Sequence, residues 1–344
     1  MTNSSRKIWV DNARGIGILT IFMIHSVPSA VREDSMVARN IYDIGMLIGR
    51  QLFFVLAGYT FQLTLQKKNK LSNWEYSISK FKKLIIPYLV YGLMIILIFS
   101  ICFYIPGLSS LVEKTNYGRI TIGKALNGIL IGDVPYALHL WFLYDLFIFS
   151  IVTFALKKIG RYSNLIIIIL AVLLWKVMSV RNWENCTAIV NVMYFYIWFV
   201  LGSVLPIEKM NKSCFVSGLL LWILYLGMSK GIRTENVSST WIWIWDLCSN
   251  ITLSGGFIAI LIGISKYMRM FISKGLQYIG RKSFDMYIFQ QPFLGSVLGT
   301  VLYKTLHFSV IWTIVATFGI SIIGTLFISY ILEKTVYLKK LFGR

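Results

Sequence analysis

Stretches of about 20 mostly apolar residues recur along nearly the whole chain, each long enough to cross a bilayer as a helix. They occupy residues 9–29, 41–65, 84–105, 137–156, 163–180, 188–206, 213–230, 241–263, 276–302 and 310–332. Lipid offers no hydrogen bonds to the backbone, so helices are the economical way for such stretches to pair every N–H and C=O internally. Apolar residues make up 57% of the chain and charged residues 14%, against ~45–50% and ~25% in soluble domains. The prediction is an all-α integral membrane protein of about ten transmembrane helices, forming a single transmembrane domain over residues 1–344. The second and ninth stretches carry the most polar residues. The longest connection, 106–136, contains Pro106, Gly107, Asn116, Gly118 and Pro135 and is expected to hold a short interfacial helix.

The net charge of +20 would suggest nucleic acid in a soluble chain. Here it reads as anchoring, because Lys and Arg concentrate in cytoplasmic loops, and no nucleic-acid partner is expected. Placing both termini in the cytoplasm puts about twice as many Lys and Arg inside as outside. The outer loops still keep several cations, Arg32, Lys114, Arg119, Lys176 and Lys304 among them. The expected location is a bacterial inner or plasma membrane. Arg6, Lys7 and Arg14 before an apolar run also satisfy part of a signal-peptide pattern; cleavage after Ala30 would discard Arg14 and His25 and leave an odd number of spans. Cys102, Cys186, Cys214 and Cys248 lack metal or disulfide spacing, so no metal is expected.

Five polar segments interrupt the apolar pattern. The first is Asp11, Arg14 and His25. Eleven residues turn a helix through about three turns and raise it ~16 Å, so Arg14 and His25 share a face, His25 near mid-membrane. An ionisable group at that depth costs ~2.5 kcal/mol or more when charged, which makes it a functional candidate. Burial favours the neutral imidazole that a general base needs; a structural histidine bonded to a neighbouring helix is the alternative. The second is Lys80-Phe81-Lys82-Lys83, a grip for donor phosphates or an ordinary positive-inside anchor. The third places Arg50 before Leu52-Phe53-Phe54, lining a polar cavity or ion-pairing with Asp43. The fourth, His139-Leu140-Trp141-Phe142-Leu143, offers Trp141 as a sugar platform or as part of an interfacial belt. The fifth runs from Gly280 and Arg281 to Phe293; Ser283, Tyr287, Gln290 and Gln291 fall on one helical face, expected to line a cavity or bond to other helices.

Together these segments resemble the membrane-bound acyltransferase-3 family. Asp11, Arg14, Gly15 and His25 match its D-x-x-R-G…H first helix. Leu52, Phe53, Phe54, Gly58 and Tyr59 match L-F-F-x-x-S-G-Y, with Ala57 in place of serine and Arg50-Gln51 in place of a commoner Met-Pro. Lys80, Lys83, Leu84 and Pro87 correspond to R-x-x-R-L-x-x-P, with lysines that lose bidentate phosphate contacts. Leu140 to Leu143 give L-W-F-L. Gly280, Ser283, Tyr287, Pro292 and Phe293 follow G-x-x-S-x-x-x-Y-x-x-H-x-P-F, with Gln290 at the histidine position, which leaves His25 as the one imidazole assigned to catalysis.

The resemblance implies transfer of an acyl group, usually acetyl from cytoplasmic acetyl-CoA as co-substrate, to a hydroxyl of a surface polysaccharide or its lipid-linked precursor. It assigns His25, Arg14 and Asp11 to catalysis, with His25 acting as base or transient acyl carrier. Lys80, Lys82, Lys83 and Arg281 are assigned to the acyl-CoA donor. Arg50, Trp141, Ser283, Tyr287, Gln290 and Gln291 are assigned to acceptor or cavity contacts. The competing reading from the same composition is a transporter or polymerase of lipid-linked glycans.

Overall fold

The computed structural model describes residues 7–68, 70–114, 117–180, 187–209, 213–231, 241–335, 338 and 342. The regular structure of the described residues is helical, with no strand among them. In chain order the helices are α1 (Ile8–His25), α2 (Ser29–Asp34), α3 (Met36–Lys68), α4 (Asn73–Lys80), α5 (Ile86–Cys102), α6 (Leu108–Glu113), α7 (Ile122–Ile131), α8 (Trp141–Lys157), α9 (Ser163–Val180), α10 (Thr187–Val204), α11 (Ser213–Gly231), α12 (Ile242–Tyr267), α13 (Met270–Phe289), α14 (Leu298–Thr300) and α15 (Val310–Lys334). Wider π-type turns occupy Phe81–Ile85, Gln290–Val297 and Val301–Thr305.

Each of the ten apolar stretches holds a helix. Among the described residues, five helical segments are long and apolar enough to cross a membrane by themselves: Met36–Leu65, Asn73–Cys102, Leu138–Lys157, Ile242–Tyr267 and Val310–Lys334. Shorter apolar helices include Ser163–Ser179, Ala188–Val204 and Ser213–Met228. The connection 106–136 holds two short helices, α6 and α7, where one was expected. Thr121 caps α7 by accepting from the Lys124 amide, and Gly132, at φ +88°, closes it in the left-handed conformation that favours glycine. Ser72 and Glu75 start α4 with reciprocal side-chain-to-backbone bonds of 3.1 and 2.8 Å.

The chain divides into two compact units. The first comprises Met1–Gly17, Leu47–Leu71 and Val152–Arg281. Its helices approach to backbone contact at glycines. A Cβ on Gly280 would lie 1.9 Å from the Asp11 carbonyl oxygen, and one on Gly15 would lie 2.4 Å from that of Leu276, so α1 and α13 cross where only glycine fits. Gly58 meets the Phe199 carbonyl in the same way. Asn12 locks the α1 crossing: its Nδ2 donates to the Ser265 carbonyl at 2.9 Å, and its Oδ1 accepts from Ser273 Oγ at 3.1 Å. Outside the apolar stretches, Glu208 pairs with Lys7 and accepts from the Tyr59 hydroxyl at 3.3 Å; the Lys7 bond holds its carboxyl below the usual range.

The second unit comprises Ile18–Met46, Ser72–Ile151 and Lys282–Arg344. Its core is aromatic. Phe99 stacks on Tyr136 at 4.6 Å and on Phe293 at 5.4 Å, around Tyr88, Tyr91 and Leu140. The polar helix α13 stops at Phe289, and Gln291 turns extended (φ −115°, ψ 151°). Pro292 explains the break: it has no N–H for the helix, and its ring disfavours the helical conformation of the preceding residue. The single face expected for Ser283, Tyr287, Gln290 and Gln291 therefore ends before Gln291.

The Gly280 crossing yields a stability test. Gly280→Ala should lower the thermal midpoint of the detergent-solubilised protein, consistent with ~1–3 kcal/mol of overpacking. Gly275→Ala, where a Cβ meets nothing within 4 Å, should leave it near wild type. The check is a fluorescence size-exclusion melt of both variants.

Candidate active site

The first-helix motif divides between the units. Asp11, 3% exposed, lies in the first unit with its Oδ1 3.9 Å from Arg14 Nη1, and Arg14 itself is half-buried. The i,i+3 spacing on α1 makes this pair local, so Asp11 can steady the guanidinium without help from another helix. His25 is the last residue of the same helix and belongs to the second unit, where the chain leaves α1 towards Pro28 and α2.

There His25 lines a cavity of about 410 Å³. Arg32, Tyr42, His139, Gln291 and Ser296 line it as well, with Tyr117, Tyr136 and Thr300 completing much of its polar and aromatic wall. No Asp or Glu stands in that wall among the described residues. Arg32 lies with its guanidinium 4.0 Å from the centre of the Tyr42 ring, so an aromatic face positions the cation within the cavity. Gln291 enters this wall because of the break at Pro292. Its Oε1 accepts from Ser296 Oγ at 2.8 Å and from the Ser296 amide at 3.2 Å, while its carbonyl accepts from the Tyr91 hydroxyl at 2.6 Å. The irregular backbone is thus satisfied where it borders a cavity.

His139 is the residue that sequence reasoning passed over. It is 7% exposed, and its Nε2 lies 3.0 Å from the Ile288 carbonyl oxygen. A carbonyl only accepts, so Nε2 carries a proton, and in the neutral imidazole Nδ1 is then the acceptor. That Nδ1 has no hydrogen-bond partner among the described residues. Tyr91 and Tyr287 flank the ring with centroids at 6.1 and 5.6 Å, and the Tyr287 hydroxyl donates to the His139 carbonyl. Gln290 therefore does not leave the site with one imidazole: a second one arrives from the start of another apolar helical segment. The signal is present in His139-Leu140-Trp141, where the rule applied to His25 holds equally, although Trp141 beside it also fits an interfacial belt.

The remaining predicted residues fall outside the cavity wall. Tyr287 supports it through His139. Ser283 and Gln290 are buried, and Trp141 is half-buried, all in the second unit. Lys82 and Lys83 are exposed at the Phe81–Ile85 turn; half-buried Lys80 lies 5.6 Å from the Tyr76 ring centre. Arg50 and Arg281 belong to the first unit. The Arg50 guanidinium lies 5.1 Å from the Phe195 ring centre, and Arg281 is exposed. Among the described residues no group of three or more His, Cys, Asp or Glu is placed to hold a metal; Cys186 lies outside the described residues.

A pair of imidazoles and a cation on one polar wall can remove a proton from a hydroxyl and orient a polar molecule beside it. No curated protein and no solved structure matches the chain. The family comparison does match, as an acyltransferase domain over residues 7–334, essentially the full length. The chain therefore belongs to the acyltransferase-3 family and is a multi-pass membrane acyltransferase.

Proposed function

We propose that this acyltransferase is an O-acetyltransferase, carrying acetyl from cytoplasmic acetyl-CoA to a sugar hydroxyl of a cell-surface polysaccharide or its lipid-linked precursor. The supporting observation is the position of His25, at the end of α1 on the wall of a 410 Å³ cavity of hydroxyl, amide and aromatic groups. Such a lining suits a sugar better than an apolar acceptor. The accompanying topology is ten crossings with both termini in the cytoplasm of a bacterial inner or plasma membrane. The family assignment favours this reading over a transporter or polymerase of lipid-linked glycans.

In this reading His25 takes the proton of the acceptor hydroxyl as its oxygen attacks the thioester carbonyl. The C–O bond forms, the C–S bond breaks, and the departing thiolate of coenzyme A receives the proton. Arg14, steadied by Asp11 on the same helix, serves as a positioning residue. Lys80, Lys82 and Lys83 receive the phosphates of the donor as point charges. His139, held by its bond to the Ile288 carbonyl, serves as a positioning residue in the wall against which the acceptor sugar lies.

Three outcomes test these assignments. His25→Ala, compared at equal membrane abundance, should cut transfer of radiolabel from acetyl-CoA to glycan by ~10²-fold or more, the usual span of general-base catalysis; undiminished transfer would remove His25 from the mechanism. Steady-state kinetics of Lys82→Gln with Lys83→Gln should show a KM for acetyl-CoA raised about tenfold, ~1.4 kcal/mol of lost binding, with the glycan KM little changed. His139→Gln retains a donor for the Ile288 carbonyl and should raise the glycan KM rather than the acetyl-CoA KM; an equal rise in both would make His139 purely structural.

A further inference from the structure

The positive-inside rule leaves an unexplained remainder: cations in the loops read as outer. Some are accounted for by local contacts. Arg119 donates to the Phe103 carbonyl at 2.9 Å, and Lys176 lies 5.4 Å from the Trp243 ring centre. Arg32, Lys114 and Lys304 are different, because each stands in the wall of a cavity of the second unit. Arg32 shares the His25 cavity. Lys114 and Lys304 line an open cleft of about 530 Å³ together with Tyr303, His307 and Phe308. Lys304 Nζ reaches the Lys114 carbonyl at 3.4 Å, so the two lysines sit side by side.

The cleft adjoins the His25 cavity. Thr300 lines the cavity, and Tyr303 and Lys304 follow it by one helical turn. Tyr303 packs with Tyr42 against Val27 and Val31, and its hydroxyl donates to Asp34 Oδ2 at 2.7 Å. That bond engages the carboxylate beside the cleft wall. Among the described residues no Asp or Glu lines either space, and no carboxylate pairs with Arg32.

Backbone strain marks the same two places. Tyr136 (φ 63°) and His307 (φ 55°) are the described non-glycine residues held at positive φ. Tyr136 lines the cavity and His307 the cleft. Such strain persists where the surroundings enforce it and gathers at ligand sites.

We infer that the acceptor is an anionic glycan: a carboxylate- or phosphate-bearing sugar whose charge meets Arg32 in the cavity, while further charged sugars of the same chain run along Lys114 and Lys304 in the cleft. Tyr42, Tyr303 and Phe308 supply rings against which sugar faces pack. This inference rests on the glycan-acceptor reading above and narrows it to a charge class.

The test uses the full-length protein in nanodiscs, radiolabelled acetyl-CoA, and surface glycan from cells lacking the gene. The glycan is supplied native, carboxyl-reduced, or treated with hydrofluoric acid to remove phosphodiesters. One of the two treatments should lower transfer at least tenfold, identifying carboxylate or phosphate as the charge. In Arg32→Gln and in Lys304→Gln the preference for native over neutralised glycan should collapse towards one. Equal transfer to native and both treated glycans overturns the inference while leaving the O-acetyltransferase reading intact. Release of free thiol from acetyl-CoA with no transfer to any of the glycans overturns the glycan acceptor and this inference together.

Discussion

The interruption of α13 at Gln291–Pro292 is the constraint on which the site depends. A continuous helix would satisfy its own backbone and present only side chains. The break instead frees a carbonyl and an amide side chain, and the second unit is built to receive them. Tyr91 donates to the Gln291 carbonyl, Ser296 donates to the Gln291 side chain, and His139 donates to the carbonyl of Ile288 three residues before the break. Each bond satisfies a polar group that lipid would leave unpaired. Together they fix one wall of the cavity that also receives His25.

The helices were legible in the sequence because apolar length is a strong signal, and every apolar stretch carries one. Their capacity to cross the membrane unaided was less legible: α1 carries Asp11, Arg14 and His25, α13 carries Arg281, Lys282 and Asp285, and these groups lower their hydropathy. The first helix that ends at His25 was legible as an apolar stretch; the cavity that His25 lines was not, because its wall is drawn from several segments of the second unit. The grouping of Gln291 with Ser283 and Tyr287 on one face did not survive, because a periodicity argument assumes a continuous helix and Pro292 ends it. His139 was hidden for another reason. It reaches the cavity by tertiary packing from a segment distant in sequence, and the neighbouring Trp141 offered a simpler interfacial explanation.

The motif glycines show a similar division. Gly15 and Gly280 were visible as matches to a family pattern, but their physical role is close approach, each facing a backbone carbonyl of the opposing helix. Asn12, which no motif singled out, holds the same crossing with two hydrogen bonds. The first-helix motif thus combines residues that assemble the first unit with one, His25, that lines a cavity of the second. Mutations at Gly15 and Gly280 are expected to act through packing, those at Asp11 through the placement of Arg14, and those at His25 through chemistry.

The central claim is that this chain places acetyl esters on a surface glycan. Its most direct test is proton NMR of purified surface glycan from cells with the gene, without it, and with it restored. The account predicts acetyl methyl resonances that vanish on deletion, return on complementation and disappear on mild alkaline de-esterification. Identical acetyl signals in all three strains would contradict it.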